Sequence, residues 1–176
     1  MAIGVTEEHE ALAAAVRAAA ARGAERGDDR AALAAQGLFG LHLPEDCGGQ
    51  GFSLLELAVA VEELGRALLP GPYVPTVLAS AIIAAADPAA PGRRELLTGL
   101  SGGSRTAAAA LAGELSGRWT ERGLRLDGTA APVLGAAGAD LIVLPVGLPA
   151  GADGAGAEGA GAEGAGAEGA GAEGAG

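Results

Sequence analysis

From Gly154 the chain repeats GAGAE four times and ends in GAG. The repeat has no large apolar residue, so nothing offsets the entropy of ordering its backbone. Its period also fits neither regular form. Along a strand, successive Glu fall on alternate faces. In a helix, five residues advance about 500°, so the Glu wander around the axis while Gly erodes stability. Residues 150–176 are therefore expected to be a disordered acidic Gly/Ala/Glu tail. About 150 residues remain for folding, which suits one domain or one and a part.

Hydrophobic residues make up 49% of the sequence, but alanine carries much of that and aromatics are 2%, so the core is expected to be thin. The net charge is −11, with 22 acids against 11 basic residues, all of them Arg. No basic stripe marks a nucleic-acid surface. One cysteine rules out an internal disulfide and a cysteine metal cage. No apolar run is long enough to span a bilayer, and the N-terminal MAIGVTEEHE is acidic where a signal peptide is basic. The expectation is a soluble cytoplasmic protein without a membrane or nucleic-acid partner.

The first two-thirds read as helices. Thr6 is placed to cap a helix whose first turn holds Glu7 and Glu8, favoured there by the helix dipole. Leu12, Val16 and Ala19/Ala20 share one face, and Gly23 is expected to end the helix. A shorter helix follows from about Asp28, with Gly37 as C-cap. LFGLHLP then alternates and stops at Pro44. Ser53 and Glu56 form a Ser-x-x-Glu capping box. It leads into an apolar face of Leu54, Leu57, Val61, Leu64 and Leu68, with Glu62, Glu63 and Arg66 expected on the solvated side. Pro70 stops this helix. Another starts with Pro75 in its first turn, and RRELLTGL forms a short one before the linker SGGS. After Ser104 the character changes to short runs split by glycine, read as three or four strands with a tight turn at Asp127-Gly128. The fold class is α+β: an all-α helical domain over 1–104, a partial β-domain over 105–149, and the tail over 150–176.

Candidate chemistry is sparse. Cys47 would need a base oriented by a third group to act as a nucleophile. His42 is close in sequence, but nothing specifies its approach, so a small turn residue is the better reading. The Gly48-Gly49-Gln50-Gly51 loop leads into a helix N-terminus and could cradle an anion. However, the phosphate-binding Gly-Lys-Ser/Thr needs a Lys that the sequence does not have, and Glu45 and Asp46 precede the loop. A turn into a capped helix is the better reading here too. Glu62 and Glu63 diverge by about 100° on a helix, so they do not converge on a metal. Trp119, the only Trp, reads as an apolar anchor. No catalytic triad or metal spacing is present, so the sequence supplies no catalytic or metal residue.

GLFGLHLPEDCGGQGFSLLELAVAVEELGRALLPGPYVPTVLAS (Gly37 to Ser80) resembles the N-terminal helical domain of the acyl-CoA dehydrogenase family. Four pieces stand in order: Gly-Leu-x-Gly-Leu, Pro-Glu-x-x-Gly-Gly-x-Gly, Ser-Leu-Leu-Glu and Glu-Glu-Leu-Gly-Arg. The alanine-rich LLPGPYVPT is similar to actinobacterial members, several of which work as paired or fused subunits. The resemblance implies N-terminal helices, a middle β-domain and a C-terminal helical bundle, with FAD between the last two. It implies removal of an acyl-CoA α-proton by a glutamate base, hydride transfer to the flavin, and electron delivery to an electron-transferring flavoprotein.

The departures from the family pattern matter as well. Gly128-Thr129 match the β-domain hairpin, but Pro132, Val133 and Leu134 stand where the family has the Trp-Ile-Thr that touches the flavin. In the preceding segment only Ala110 and Leu111 match the cofactor-binding motif. The bundle and its glutamate are not in the sequence, and the resemblance covers about residues 1–146. Three readings stay open. The chain is a dehydrogenase homologue present as a fragment inactive by itself, through truncation, frameshift or gene-model error. Or it is a non-catalytic subunit of a heteromeric dehydrogenase. Or it is a free helical interaction module. Some of the apolar face around Leu57, Val61, Leu64 and Leu68 is expected to be uncovered.

Overall fold

The computed structural model describes residues 6–26 and 29–149. The expected tail and the N-terminal five residues lie outside the described residues. The architecture is α+β. Five helices, α1 (Glu7–Arg26), α2 (Asp29–Ala35), α3 (Leu54–Arg66), α4 (Tyr73–Ala85) and α5 (Arg93–Ser101), precede four short strands. The strands are β1 (Ala107–Ala109), β2 (Gly113–Thr120), β3 (Gly123–Ala130) and β4 (Leu141–Val143). The described residues form two compact units, 6–113 with 129–145 and 114–128 with 146–149.

In the first unit Thr6 caps α1, its Oγ1 accepting from the His9 N–H at 3.4 Å. Val16, Ala19 and Ala20 enter a core with Leu33, Leu38, Phe39, Leu41, Ala60, Leu64, Tyr73 and Val77. Gly23 does not end α1, which runs to Arg26. A Cβ at Gly23 would stand 2.8 Å from the Asp29 Cα, so this glycine lets α2 pack close. Gly37 does sit in the left-handed region at φ 68°. Its carbonyl and that of Gln36 accept from the Gln50 amide at 2.9 and 3.2 Å, which closes the end of α2. LFGLHLP is not a strand. It winds through a 3-10 turn at Leu38–Gly40, with Leu38, Phe39, Leu41 and Leu43 all buried.

The capping box on α3 is present in both halves. Ser53 Oγ accepts from the Leu55 N–H at 3.1 Å, and the Glu56 carboxylate accepts from the Ser53 N–H at 2.9 Å. The buried face of α3 is shifted from the expected one. Ala60, Glu63 and Leu64 are buried, whereas Leu54 is 71% and Leu68 86% exposed. Leu54 is the first helical residue and Leu68 lies past the last, so both overhang the stretch that packs on the core. α4 turns Tyr73, Val77, Ala79 and Ser80 inward. Tyr73 Oη donates to the Leu38 carbonyl at 3.1 Å. The Arg93 guanidinium donates to the Ile83 and Ala84 carbonyls at the C-terminus of α4.

β1 consists of three alanines, all buried, because α4 lies close on it. Thr76 Oγ1 accepts from the Ala107 N–H at 3.1 Å. β1 pairs in parallel with β4, Ala107 opposite Leu141 and Ala109 opposite Val143. The Asp140 carboxylate fixes this register by accepting from the Thr106 N–H at 2.7 Å and its hydroxyl at 3.0 Å.

β2 and β3 form a hairpin. Its turn is at Glu121-Arg122, not at Asp127-Gly128, which lies within β3. Gly128 is there for a close approach: a Cβ would stand 1.9 Å from the Glu114 carbonyl oxygen.

Candidate functional site

The expected cofactor positions lie where β1 ends. Ala110 is buried, and its N–H donates to the Val143 carbonyl at 2.9 Å. Leu111 is exposed. The next carbonyl, Ala112, accepts from the Ala131 N–H at 3.0 Å, which brings the loop carrying Pro132, Val133 and Leu134 beside this segment. A Cβ on Gly135 would stand 3.0 Å from the Pro75 ring, so the same loop reaches the first turn of α4. The structure therefore gathers Ala110, Leu111, Leu134 and the start of α4 into one region.

That region is apolar. Val74, Leu78 and Ile82 recur every four residues along α4 and are exposed, as is Leu134. The hydroxyls fixed in this unit are already committed. Thr76 Oγ1 is bonded to Ala107, and Thr106 Oγ1 to Gly138 and Asp140. Ala110 and Leu111 offer backbone and aliphatic contact, without a side-chain donor. These residues do not fit a flavin held by side-chain hydrogen bonds from this segment.

The glycine loop has a different use. Its N–H groups point to carbonyls of the chain itself: Gly49 to Pro44 at 3.0 Å, Gln50 to Gly40 at 3.0 Å and Gly51 to Leu43 at 2.9 Å. A Cβ at Gly49 would stand 2.0 Å from the Leu43 carbonyl oxygen. The loop folds onto LFGLHLP and presents no ring of free donors to a phosphate. Cys47 is buried, its carbonyl accepts from Ser101 Oγ at 2.9 Å, and burial pushes its thiol up from the ordinary value. His42 Nε2 faces Ser80 Oγ at 3.2 Å, and burial pulls the imidazole down. The two are not a nucleophile and its base.

The two candidate glutamates part company. Glu62 pairs with Arg66, at 2.5 Å. Glu63 is buried rather than solvated, and lies 2.9 Å from Arg17 and 2.6 Å from Arg66. Unforeseen in the sequence is His9, whose Nε2 lies 3.3 Å from Glu56 and links α1 to the capping box. The Ser53 hydroxyl bond is the first cause that takes the Glu56 carboxyl down to about 2. No sequence signal marked His9. Among the described residues no group of three His, Cys, Asp or Glu is placed to hold a metal. No described helix is long and apolar enough to cross a membrane.

A model of the "Acyl-CoA dehydrogenase, N-terminal domain" matches residues 6–101, which include α1 to α5 and the glycine loop. The chain belongs to the acyl-CoA dehydrogenase family.

Among curated members, acyl-CoA dehydrogenase FadE34 of Mycobacterium tuberculosis is 37% identical over 115 residues, which are 65% of this chain and 15% of that protein. Acyl-CoA dehydrogenase IpdE2 of the same organism is 45% identical over 91 residues, 49% of this chain and 28% of that one. The alignments thus span less than a third of either relative. Among solved structures, a variant of the Tcur3481-Tcur3483 steroid acyl-CoA dehydrogenase matches with a TM-score of 0.70 at 31% identity, covering 81% of this chain and 45% of that one. The ChsE4-ChsE5 complex of M. tuberculosis matches with the same TM-score of 0.70 at 24% identity, covering 84% of this chain and 46% of that one; the second likeness concerns the fold.

Proposed function

We propose that the chain supplies the helical N-terminal part of a flavin-dependent acyl-CoA dehydrogenase assembled from more than one chain, and that alone it does not dehydrogenate acyl-CoA. The observation that carries this reading is the partly exposed aliphatic stripe Val74, Leu78 and Ile82 on α4, with the largely exposed Leu134 beside its first turn. A surface of this kind marks a contact rather than a solvated face. The structural neighbour at 31% identity is a steroid acyl-CoA dehydrogenase named for two proteins, Tcur3481 and Tcur3483, which supports assembly with a second chain.

The carboxylates the structure fixes have structural partners: Glu56 with Ser53 and His9, Glu63 with Arg17 and Arg66, Asp140 with Thr106. Under this reading the general base, the acyl-CoA thioester contacts and most of the FAD site come from the second chain. Ala110 and Leu111 then contribute backbone and aliphatic contact at the cofactor's edge. Where the assembly holds FAD, the cofactor would supply the hydride acceptor, and an electron-transferring flavoprotein would be the electron partner expected for the family. Residues 1–104 are the helical part and 105–149 the partial β-domain of the assembled enzyme.

The test is co-expression with an acyl-CoA dehydrogenase chain from the same genome that carries the C-terminal bundle, followed by gel filtration. The reading expects one peak holding both chains, flavin absorbance and acyl-CoA oxidation. Separate elution, with the activity confined to the other chain, would refute it.

A further inference from the structure

Arg118 and Arg125 stand opposite each other on the β2–β3 hairpin. The turn at Glu121-Arg122 sets Thr120 against Gly123, and Ser116 Oγ reaches the Asp127 carbonyl at 3.4 Å. Side chains two apart on a strand share a face, so Arg118 lies across from Arg125 between these two pairs. Ser116, Gly117, Arg118, Arg125 and Asp127 line a pocket of about 270 Å³. Like charges directly opposite destabilise a strand pair. Both arginines are exposed, and among the described residues neither guanidinium meets a carboxylate or a carbonyl. Asp127 borders the pocket without an ion pair to either. By contrast, Arg17, Arg66, Arg94 and Arg105 meet carboxylates, and Arg30 and Arg93 meet carbonyls. The hairpin pair keeps its charge uncompensated.

The sequence places a counter-charge beside it. Gly147 bridges to Ser116 in parallel, its N–H donating to the Leu115 carbonyl and its carbonyl accepting from the Gly117 N–H, both at 2.9 Å. The described chain therefore ends at residue 149, two residues past a bridge to β2 and close to Arg118. Residues 150–176 then carry Asp153, Glu158, Glu163, Glu168 and Glu173, and no basic residue follows Arg125 in the sequence. The tether selects the occupant, because a segment joined to the chain so near the site acts at about millimolar effective concentration. Charge selects the place. The rest of the chain is itself net acidic and repels these carboxylates over most of its surface. An uncompensated arginine pair attracts them, and guanidinium and carboxylate fit as bidentate partners.

We propose that the acidic segment 150–176 docks on the Arg118–Arg125 face of the hairpin and shields it from other anions. A carboxylate recurs every five residues from Glu158 to Glu173, so the contact needs no single conformation of the segment. The proposal is independent of the second dehydrogenase chain invoked above. NMR of the arginine Nε–H signals tests it on the full chain, with inorganic pyrophosphate as the probe. The comparison variant combines Asp153→Asn, Glu158→Gln, Glu163→Gln, Glu168→Gln and Glu173→Gln. These positions lie outside the described residues, and helical circular dichroism should be unchanged. The Arg118 and Arg125 signals are expected to shift in the variant, while that of Arg30, bonded to the Gly103 carbonyl, stays in place. Pyrophosphate should move the two signals in the variant at roughly a tenth of the concentration the wild type requires, since it no longer competes with a tethered anion. Unmoved Arg118 and Arg125 signals, or an equal pyrophosphate response in both proteins, overturn the proposal. So does a wild-type contact that grows with protein concentration, which would assign the docking to a neighbouring copy. Each of these results leaves the heteromeric reading standing, because that is read from flavin and co-elution.

Discussion

The Glu63 carboxylate on α3 lies 2.9 Å from the Arg17 guanidinium on α1, with 5% of the Glu63 side chain exposed. This link is the charged counterpart of the apolar contact between the two helices. The hydrogen bond to Arg17 is the leading cause that holds the Glu63 carboxyl below its ordinary value of 4.5. Because the folded carboxyl is more acidic than the unfolded one, the link stabilises the fold above the ordinary carboxylate range. It is lost as pH falls through the depressed value. Glu63→Gln should lower Tm at neutral pH, and the gap between variant and wild type should close as pH drops below about 4.5. Thermal melts of both proteins down a pH series check this; a gap that stays constant into acid would contradict it.

Ser53→Ala should destabilise the chain by about 1 kcal/mol, the usual loss for an N-cap. The same substitution removes the first cause of the low Glu56 value of about 2, so that carboxyl should titrate closer to its ordinary range. Denaturant unfolding reads the first effect and an NMR titration of the Glu56 side chain the second. A variant with unaltered stability and an unmoved titration would show that the box is not formed in solution.

Gly49→Ala should cost about 2–3 kcal/mol as an overpacking change, because its Cβ would stand 2.0 Å from the Leu43 carbonyl. Gly65→Ala is the control. It lies inside α3 with no atom within 4 Å of its would-be Cβ, and should stabilise by about 1 kcal/mol through helix propensity. The glycine motif is thus read as packing. If Gly49→Ala were neutral in unfolding, that account of the loop would fail.

What the sequence made legible was local. Thr6, the Ser53–Glu56 box, Gly37 and Pro75 act within one turn of themselves, and each stands where such residues should. What it hid depends on distant partners. Glu63 reads as surface until Arg17 is brought across from α1. Leu68 reads as the last residue of an apolar stripe until the helix is seen to close before it. Gly23 and Gly128 read as a helix end and a turn, yet each is a place where another backbone passes close. The apolar face around Leu57, Val61 and Leu64 packs into the core beneath α1. The uncovered stripe is on α4, whose residues alone do not say which face the neighbours leave free. Ala110 and Leu111 are placed at the end of β1 by the fold, but their link to a flavin rests on the family motif.

The central proposal is that this chain acts as a helical component of a larger dehydrogenase and alone does not dehydrogenate acyl-CoA. Purified alone and assayed for acyl-CoA oxidation with an artificial electron acceptor, it should be colourless and give no turnover above background, even with added FAD. A yellow protein with stoichiometric flavin and clear acyl-CoA turnover would contradict the account.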